Sequence, residues 1–430
     1  MKKLYIFCLA VSGLAACKPK LEPEKPEAGQ LQLSRYLAVG SSFTAGFSDG
    51  TLTKTGQNFS FPNMLAEQFG LVGGGEFKQP LLPGDNGYPN PKLVLAARRG
   101  PCDTNTSITA VRYTGALDSS NSSNSVAIGG PYNNTGIPGI RAVDYIKSGY
   151  ASEPSGNRFA RRFFANLGAR PIDEVTRVNS TFFSLWIGSE DVLGYATGGG
   201  KESAIQLSGV TEFAAAYDSV VTNLVKKGAK GVAMNIPDIT SMPFFTTIPG
   251  KFVNLTRRQA DDLNATNTMT FVRFNEGANY PVIQDGADLR LLVEGEMVLL
   301  SLPMDSVKCA GWGTKKPIPG NYVLTLAEIA AAQKATDDFN VIINTVNKAK
   351  NIATVDMFGY FKTIQSGVAF NGISYNANFI NGSFFSLDGI HPSARGYALV
   401  ANAIIREINL FYGAKISSVD ANKFPGVKFP

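Results

Sequence analysis

The chain has 430 residues, a formal net charge of +6 and a hydrophobic fraction of 44%. This length suits one large domain, with a core of ~200–250 residues enlarged by insertions. Its lysines and arginines are scattered, which argues against a nucleic-acid-binding protein, and with a single histidine we expect neither a transition-metal cluster nor a metal cofactor.

The N-terminal sequence has the pattern of an export signal. Met-Lys-Lys precedes an apolar run from Leu4 to Ala16, which is too short to span a bilayer. Its ending, Leu14-Ala15-Ala16-Cys17, resembles the lipobox of bacterial lipoproteins. That resemblance implies a signal peptide over 1–16, acylation of Cys17 and a lipid-anchored protein of the bacterial cell envelope, at the outer membrane on its periplasmic or surface face. The alternative is an ordinary secretory signal whose cysteine is incidental.

A polar segment follows the signal. Residues 17–34 are rich in Pro, Glu, Lys and Gln, which predicts a flexible tether behind the lipidated cysteine. No later apolar run approaches ~20 residues, so the membrane partner is expected to be reached through Cys17 alone.

Four short apolar runs bounded by turns predict buried strands. They occupy residues 36–40, 182–188, 231–236 and 352–358. Continuous rather than alternating hydrophobicity is typical of parallel strands covered on both faces. Helical patterns separate them, over Thr211 to Lys227 and over Leu326 to Val346. This alternation predicts an α/β fold, a three-layer α/β/α sandwich with a parallel sheet and with ligands at the carboxyl ends of its strands.

Two stretches do not follow this alternation. Residues 72–135 are rich in Gly, Pro, Asn and Ser, and residues 240–322 hold a mixed pattern with hairpins. Both are predicted to be insertions that shape a cleft. Cys102 falls in the first and Cys309 in the second, and in an oxidising compartment they either form a disulfide or remain two free thiols.

Candidate chemistry lies at two strand ends. Ser42 follows the first strand among small residues, where its hydroxyl can stand on a tight strand-to-helix turn beside free backbone N–H groups. The only histidine, His391, lies three residues after Asp388 and just before the last helical pattern. A carboxylate at this spacing can curl back onto the imidazole, which is the usual base for activating a hydroxyl. The alternative makes Asp388 a turn former and His391 a helix-entry residue.

Four segments together resemble the conserved blocks of the SGNH/GDSL hydrolase family. They cover the chain from about 35 to 415, which leaves 416–430 as a C-terminal tail. The segments are Gly40-Ser41-Ser42-Phe43, Asn134-Thr135-Gly136-Ile137-Pro138-Gly139, Gly188-Ser189-Glu190-Asp191 and Asp388-Gly389-Ile390-His391. The resemblance implies a flavodoxin-like sheet of the SGNH type.

By that resemblance Ser42 is the nucleophile, His391 the general base and Asp388 the residue that orients the imidazole. The N–H groups of Ser42 and Gly139 would form the oxyanion hole, and no cofactor is implied. The expected substrate is a carboxylic ester in an acyl lipid, an acetylated glycan or a small molecule.

Two positions depart from the family pattern. Ser41 replaces an aspartate that has a supporting role. Glu190 replaces an asparagine whose amide donates to the oxyanion, and an ionised glutamate cannot donate. Losing one such donor typically lowers the rate by ~10²–10³-fold. A Glu190 kept protonated by burial or by Asp191 would restore a donor; otherwise Ser189 or a backbone N–H substitutes, or the enzyme is slow.

The sequence therefore predicts a cell-envelope lipoprotein serine esterase. A catalytically silent lipoprotein that kept the fold and binds glycan or lipid is the rival, favoured by Glu190. A third hypothesis is acyl transfer to a sugar hydroxyl, because the same Ser-His-Asp triad catalyses both transfer and hydrolysis. The oligomeric state stays open.

Overall fold

The computed structural model describes residues 25–116, 126–152, 156–201, 205–266, 269 and 271–430. The predicted signal peptide and the predicted acylation site, Cys17, lie outside these residues. Across the described part of the chain, no helix combines the length and apolarity needed to cross a membrane.

The described residues form short strands and longer helices. The strands are β1 (Tyr36–Gly40), β2 (Leu93–Arg98), β3 (Ser107–Arg112), β4 (Asn134–Gly136), β5 (Phe182–Trp186), β6 (Lys230–Met234), β7 (Val253–Leu255), β8 (Gly277–Asn279), β9 (Val282–Asp285), β10 (Asp288–Leu291), β11 (Met297–Val298), β12 (Val323–Leu324), β13 (Ala353–Val355), β14 (Val368–Phe370) and β15 (Ile373–Tyr375). The helices are α1 (Ser42–Ala45), α2 (Lys54–Asn58), α3 (Phe61–Gly70), α4 (Arg158–Phe163), α5 (Pro171–Val175), α6 (Glu190–Thr197), α7 (Val210–Val225), α8 (Pro243–Thr246), α9 (Arg257–Thr266), α10 (Met304–Ala310), α11 (Leu326–Ala349), α12 (Met357–Ser366) and α13 (Ala394–Tyr412).

Five strands pair in parallel to form the central sheet, in the order β4-β1-β5-β6-β13. Counted along the chain this order is 2-1-3-4-5, the flavodoxin-like arrangement. The predicted fold class is thereby confirmed. All residues of β1 and β5 are buried, which agrees with strands covered on both faces.

Helices cover the two faces of the sheet. On one face α7 packs against α11, with the rings of Phe213 and Phe339 stacked 4.0 Å apart. On the other face α3 packs against α13. Ser393 caps α13 by accepting from the N–H of Gly396, and the helix buries an apolar stripe that runs to Ile408. Both layers bring loops to the carboxyl ends of the strands.

The chain enters and leaves the domain differently from the prediction. Residues 25–34 pack on the domain instead of continuing the tether, because Leu31 and Leu33 are buried in the core. Glu27 and Lys415 exchange two backbone hydrogen bonds, of 3.2 and 2.8 Å. The predicted tail also folds back, with Ile416 and Val419 buried. Alternating single apolar residues in these short segments give too little periodicity to reveal the packing.

The two predicted insertions hold antiparallel hairpins, β2 with β3 in the first and β7 with β8 and β9 with β10 in the second. The first is shorter than predicted, because β4 at its end belongs to the central sheet. A disulfide joins Cys102 to Cys309, with Cα atoms 5.6 Å apart. Lys308 forms an ion pair of 2.6 Å with Asp103 beside it. The two insertions are thus covalently linked.

Candidate active site

Ser42 stands where the first strand turns into a helix. It is the first residue of α1, and the helix ends one turn later at Gly46, which has a left-handed φ of +80°. Gly40 permits the tight turn, because a Cβ there would lie 2.0 Å from Oγ1 of Thr44. The N–H of Ser42 has no acceptor within the helix, as expected for an N-terminal residue.

The segment that carries Gly139 packs against this turn. A Cβ on Gly136 would lie 2.2 Å from the backbone nitrogen of Ala45, so only glycine allows β4 to approach α1 this closely. The Asn134 amide donates to the carbonyl of Thr44 at 3.1 Å. Beyond β4, Gly139 has a φ of +82°, and its N–H has no hydrogen-bond partner among the described residues. Two unpaired backbone donors, from Ser42 and Gly139, are therefore available for an anion.

Asp388 and His391 form a local pair. Oδ2 of Asp388 lies 2.9 Å from Nδ1 of His391, and its Oδ1 accepts the N–H of His391 at 2.8 Å and that of Ile390 at 2.9 Å. Burial alone would raise the pKa of Asp388, but the facing imidazole and these N–H donors outweigh it and lower the pKa to about 2. An ionised carboxylate only accepts, so Nδ1 carries the proton and Nε2 presents a lone pair.

The imidazole of His391 is enclosed. Only 8% of the residue is exposed, and its ring contacts those of Phe43 and Phe47, at centroid distances of 5.0 and 4.9 Å. Nε2 is buried and has no hydrogen-bond partner within the described part of the chain. A buried lone pair without a donor is uncommon in a structural histidine, and it suits a base that awaits a proton.

The hydroxyl of Ser42 does not donate to His391 in this structure. It donates to Oε1 of Glu190 at 2.7 Å. Glu190 begins α6, directly after the central strand β5, which places its carboxylate at the same edge of the sheet. The residue predicted to disturb the oxyanion hole therefore contacts the predicted nucleophile, Ser42, and both Glu190 and His391 are groups that can accept a proton.

The neighbouring acid has a different environment. Oδ2 of Asp191 accepts the N–H of Ala142 at 2.6 Å, and Oδ1 accepts the hydroxyl of Ser208 at 2.6 Å. Burial raises the pKa of Asp191 to about 6. Asp191 thus braces the loops around α6. Ser189, the other predicted substitute donor, has a buried hydroxyl with no partner among the described residues.

Asp49 holds the loop that carries the acid–base pair, and the sequence analysis missed it. Its carboxylate accepts the N–H of Leu387 at 2.9 Å, and its own N–H donates to the hydroxyl of Ser386 at 3.0 Å. The next residue, Gly50, donates its N–H to Oδ2 of Asp388 at 3.0 Å. Asp49 has a φ of +52°, a strained value for a residue other than glycine. Residues 49 and 50 therefore position Asp388.

Ionisation of the Asp49 carboxyl lowers the stability of the folded protein. Burial and the nearby Asp388 raise the pKa of Asp49 to about 6, while the bond from Leu387 and the charge of Lys92 act in the opposite direction. A carboxyl whose pKa is raised on folding destabilises the protein when it ionises. The destabilisation from Asp49 is absent below about pH 4 and complete above about pH 6.

Two substitutions of Asp49 separate its effect on stability from its effect on the position of Asp388. Asp49→Asn keeps an acceptor for Leu387 and removes the ionisation, so we expect a higher Tm than wild type at pH 7.5, no gain at pH 4, and a similar kcat. Asp49→Gly keeps the left-handed backbone but loses the acceptor, and should lower kcat about tenfold through misplacement of Asp388. Asn371→Gly, at a distant φ of +49°, is the control. A wild-type kcat in Asp49→Gly would show that Asp49 does not position the loop.

A cavity of about 430 Å³ lies behind this loop. Asp49 and Leu387 form part of one wall, Lys92 and Leu95 line another, and the C-terminal residues 425–430 line the side facing them. The described lining includes neither Ser42 nor His391. The tail predicted only as an appendage thus lines a cavity that adjoins the loop of Asp388 and His391.

Comparison with known families agrees with this arrangement. A family model described as GDSL-like Lipase/Acylhydrolase matches residues 36–404. The match extends from the start of β1 into α13, and so includes the turn at Ser42, the Glu190 helix and the Asp388–His391 pair. No curated protein matches the chain.

Proposed function

Because the chain belongs to the GDSL-like lipase/acylhydrolase family, a family of acyl hydrolases, we propose that it is a serine esterase that forms an acyl-enzyme on Ser42. The observation that carries this proposal is the Asp388–His391 pair with its buried, unpartnered Nε2. We further propose, from the lipobox-like ending at Cys17, that the enzyme is a lipid-anchored protein of the cell envelope.

In the proposed reaction the Ser42 hydroxyl turns from Glu190 to Nε2 of His391 and attacks the ester carbonyl. His391 takes the serine proton, and Asp388 stabilises the imidazolium that forms. The negative carbonyl oxygen is held by the N–H groups of Ser42 and Gly139. His391 then protonates the departing alkoxide. Water, activated by the same imidazole, hydrolyses the acyl-enzyme and frees Ser42.

A second function is supported by the hydrogen bond from Ser42 to Glu190. If this bond persisted, the nucleophile would stay turned away from His391, and the protein would act as a catalytically silent lipoprotein that binds glycan or lipid. The same site would then recognise an ester or sugar without cleaving it.

A fluorophosphonate probe distinguishes the two. We expect covalent labelling of purified protein on Ser42, mapped by mass spectrometry, because the probe reacts only with an activated serine. Ser42→Ala should be unlabelled, and Ser41→Ala, which changes the adjacent buried serine, should be labelled as wild type. A folded wild-type protein that takes up no label would favour the silent binding protein.

A further inference from the structure

The edge of the sheet opposite Ser42 is strongly cationic. In a parallel sheet flanked by helices, the turns that lead into the strands lie at the amino-terminal edge. These turns, together with the first described residues and the end of α13, make up a surface that we term the cationic edge. It comprises segments 25–35, 175–181, 225–230, 348–352 and 412–416. Their charged residues are one carboxylate, Glu27, and the cations Lys25, Arg35, Arg177, Lys226, Lys227, Lys230, Lys348, Lys350 and Lys415. A second exposed carboxylate, Glu76, lies close to segment 25–35, because the adjacent Gly75 packs against Ser34.

Several of these cations have no carboxylate partner among the described residues. Lys226, Lys227 and Lys348 are exposed, and no carboxylate of the described residues lies within ion-pair distance of them. Arg177 pairs with Glu174 at 3.2 Å, while Lys350 lies 3.9 Å from Asp218. The cationic edge therefore presents several exposed ammonium groups to its surroundings, which is the pattern that attracts an anionic surface.

Exposed apolar side chains lie at the same edge. Leu410 and Phe411, in the last turn of α13, are 73% and 44% exposed. Leu71, which follows α3 on the same face of the sheet, is 62% exposed. Lysines combined with Leu and Phe are typical of surfaces that enter the headgroup region of a bilayer.

The catalytic edge carries charges of both signs. Glu190 follows β5 and Asp356 follows β13, but Asp238, which follows β6, pairs with Lys362 at 3.5 Å, and Asp388 is engaged by the imidazole beside it. The cationic edge therefore offers the larger excess of positive charge to anionic headgroups.

We propose that the cationic edge rests on a bilayer rich in anionic lipid, with Leu410 and Phe411 in the headgroup region and Ser42 facing away from that bilayer. The position of the first described residues supports this orientation, since Glu27, two residues after Lys25, pairs with Lys415 at the cationic edge. Only seven residues, 18–24, lie between Cys17 and Lys25, so the two are at most ~28 Å apart. The lipid anchor of the proposed function would thus hold this edge near the membrane.

This orientation narrows the substrate class of the proposed esterase. The body of the domain lies between Ser42 and the lipids of the bilayer on which it rests. Esters would reach the site from the opposite side, as soluble molecules or as acyl groups on glycans. Acyl lipids of the anchoring leaflet are then poor substrates.

Vesicle binding by residues 25–430 tests the proposal. This fragment contains every described member of the main hydrophobic core, from Leu31 to Ala421, so it holds what the fold requires. We expect it to co-sediment with phosphatidylcholine vesicles containing 30% phosphatidylglycerol but not with pure phosphatidylcholine. High salt should release it, because surface charges are screened.

Charge reversal locates the surface. K226E/K227E should weaken binding at least tenfold, since each lysine near an anionic surface contributes about fivefold. K315E/K316E changes the charge equally at an exposed pair in the second insertion, and should bind within threefold of wild type. Equal loss in both variants, or no binding by wild type, would overturn the proposal. Hydrolysis of a soluble ester should be unchanged in K226E/K227E, so failure of binding is distinguishable from failure of catalysis.

Discussion

Replacing His391 with alanine is expected to lower kcat for ester hydrolysis by about 10³-fold or more, because the chain has no second imidazole. Nδ1 of His391 is engaged by Asp388, which leaves the buried Nε2 to accept the serine proton in the proposed reaction. Steady-state kinetics with a p-nitrophenyl ester measure the loss, and the Tm of the variant reports whether the fold survives.

Chemical rescue separates a catalytic role from a structural one. The imidazole of His391 is buried against Phe43 and Phe47, so the alanine variant leaves a cavity of about the size of an imidazole. Added imidazole should restore part of the activity to His391→Ala and none to Ser42→Ala. Should His391→Ala keep the wild-type kcat while Ser42 stays essential, Glu190 would have to be the base and the proposed role of His391 would be wrong.

Much of the fold is predictable from the sequence because burial on both faces turns a strand into a continuous apolar run. That holds for β1, β5, β6 and β13. It fails for β4, whose three residues, Asn-Thr-Gly, lie in a stretch rich in glycine and asparagine. Its place is fixed by pairing with β1 and by the glycine contact with α1, neither of which leaves a hydrophobic pattern.

The site likewise has contacts that the sequence predicts and contacts that it does not. The contact of Asp388 with His391 spans three residues, so local spacing is enough to predict it. The bond from Ser42 to Glu190 joins residues 148 positions apart and depends on which way each side chain turns. Asp49 lies 338 positions from the loop that it holds. Nothing in its own segment, an aspartate before a glycine, distinguishes a positioning residue from an ordinary turn.

Replacing Glu190 with glutamine is expected to raise kcat/KM for ester hydrolysis about tenfold or more. Glutamine has the same shape, so its amide can occupy the place of a carboxylate that now lies 2.7 Å from the Ser42 hydroxyl. The amide donates, whereas an ionised carboxylate repels the oxyanion and holds the serine proton by a charge-assisted bond. One added oxyanion donor can supply up to ~10²–10³-fold. The kinetics of hydrolysis and the rate of fluorophosphonate labelling should both increase.

Two further variants assign the cause. Glu190→Ala removes the charge without adding a donor, so a gain in glutamine that alanine lacks would come from donation to the oxyanion. A gain shared by both would come from release of the serine hydroxyl. Glu190→Asn restores the residue of the family pattern but is one methylene shorter, and should fall between them. A large loss in all three variants would instead make Glu190 a catalytic carboxylate. The hydrogen bond from Ser42 would then be a working contact of the reaction, and the departure from the family pattern would mark a different way of activating the same serine.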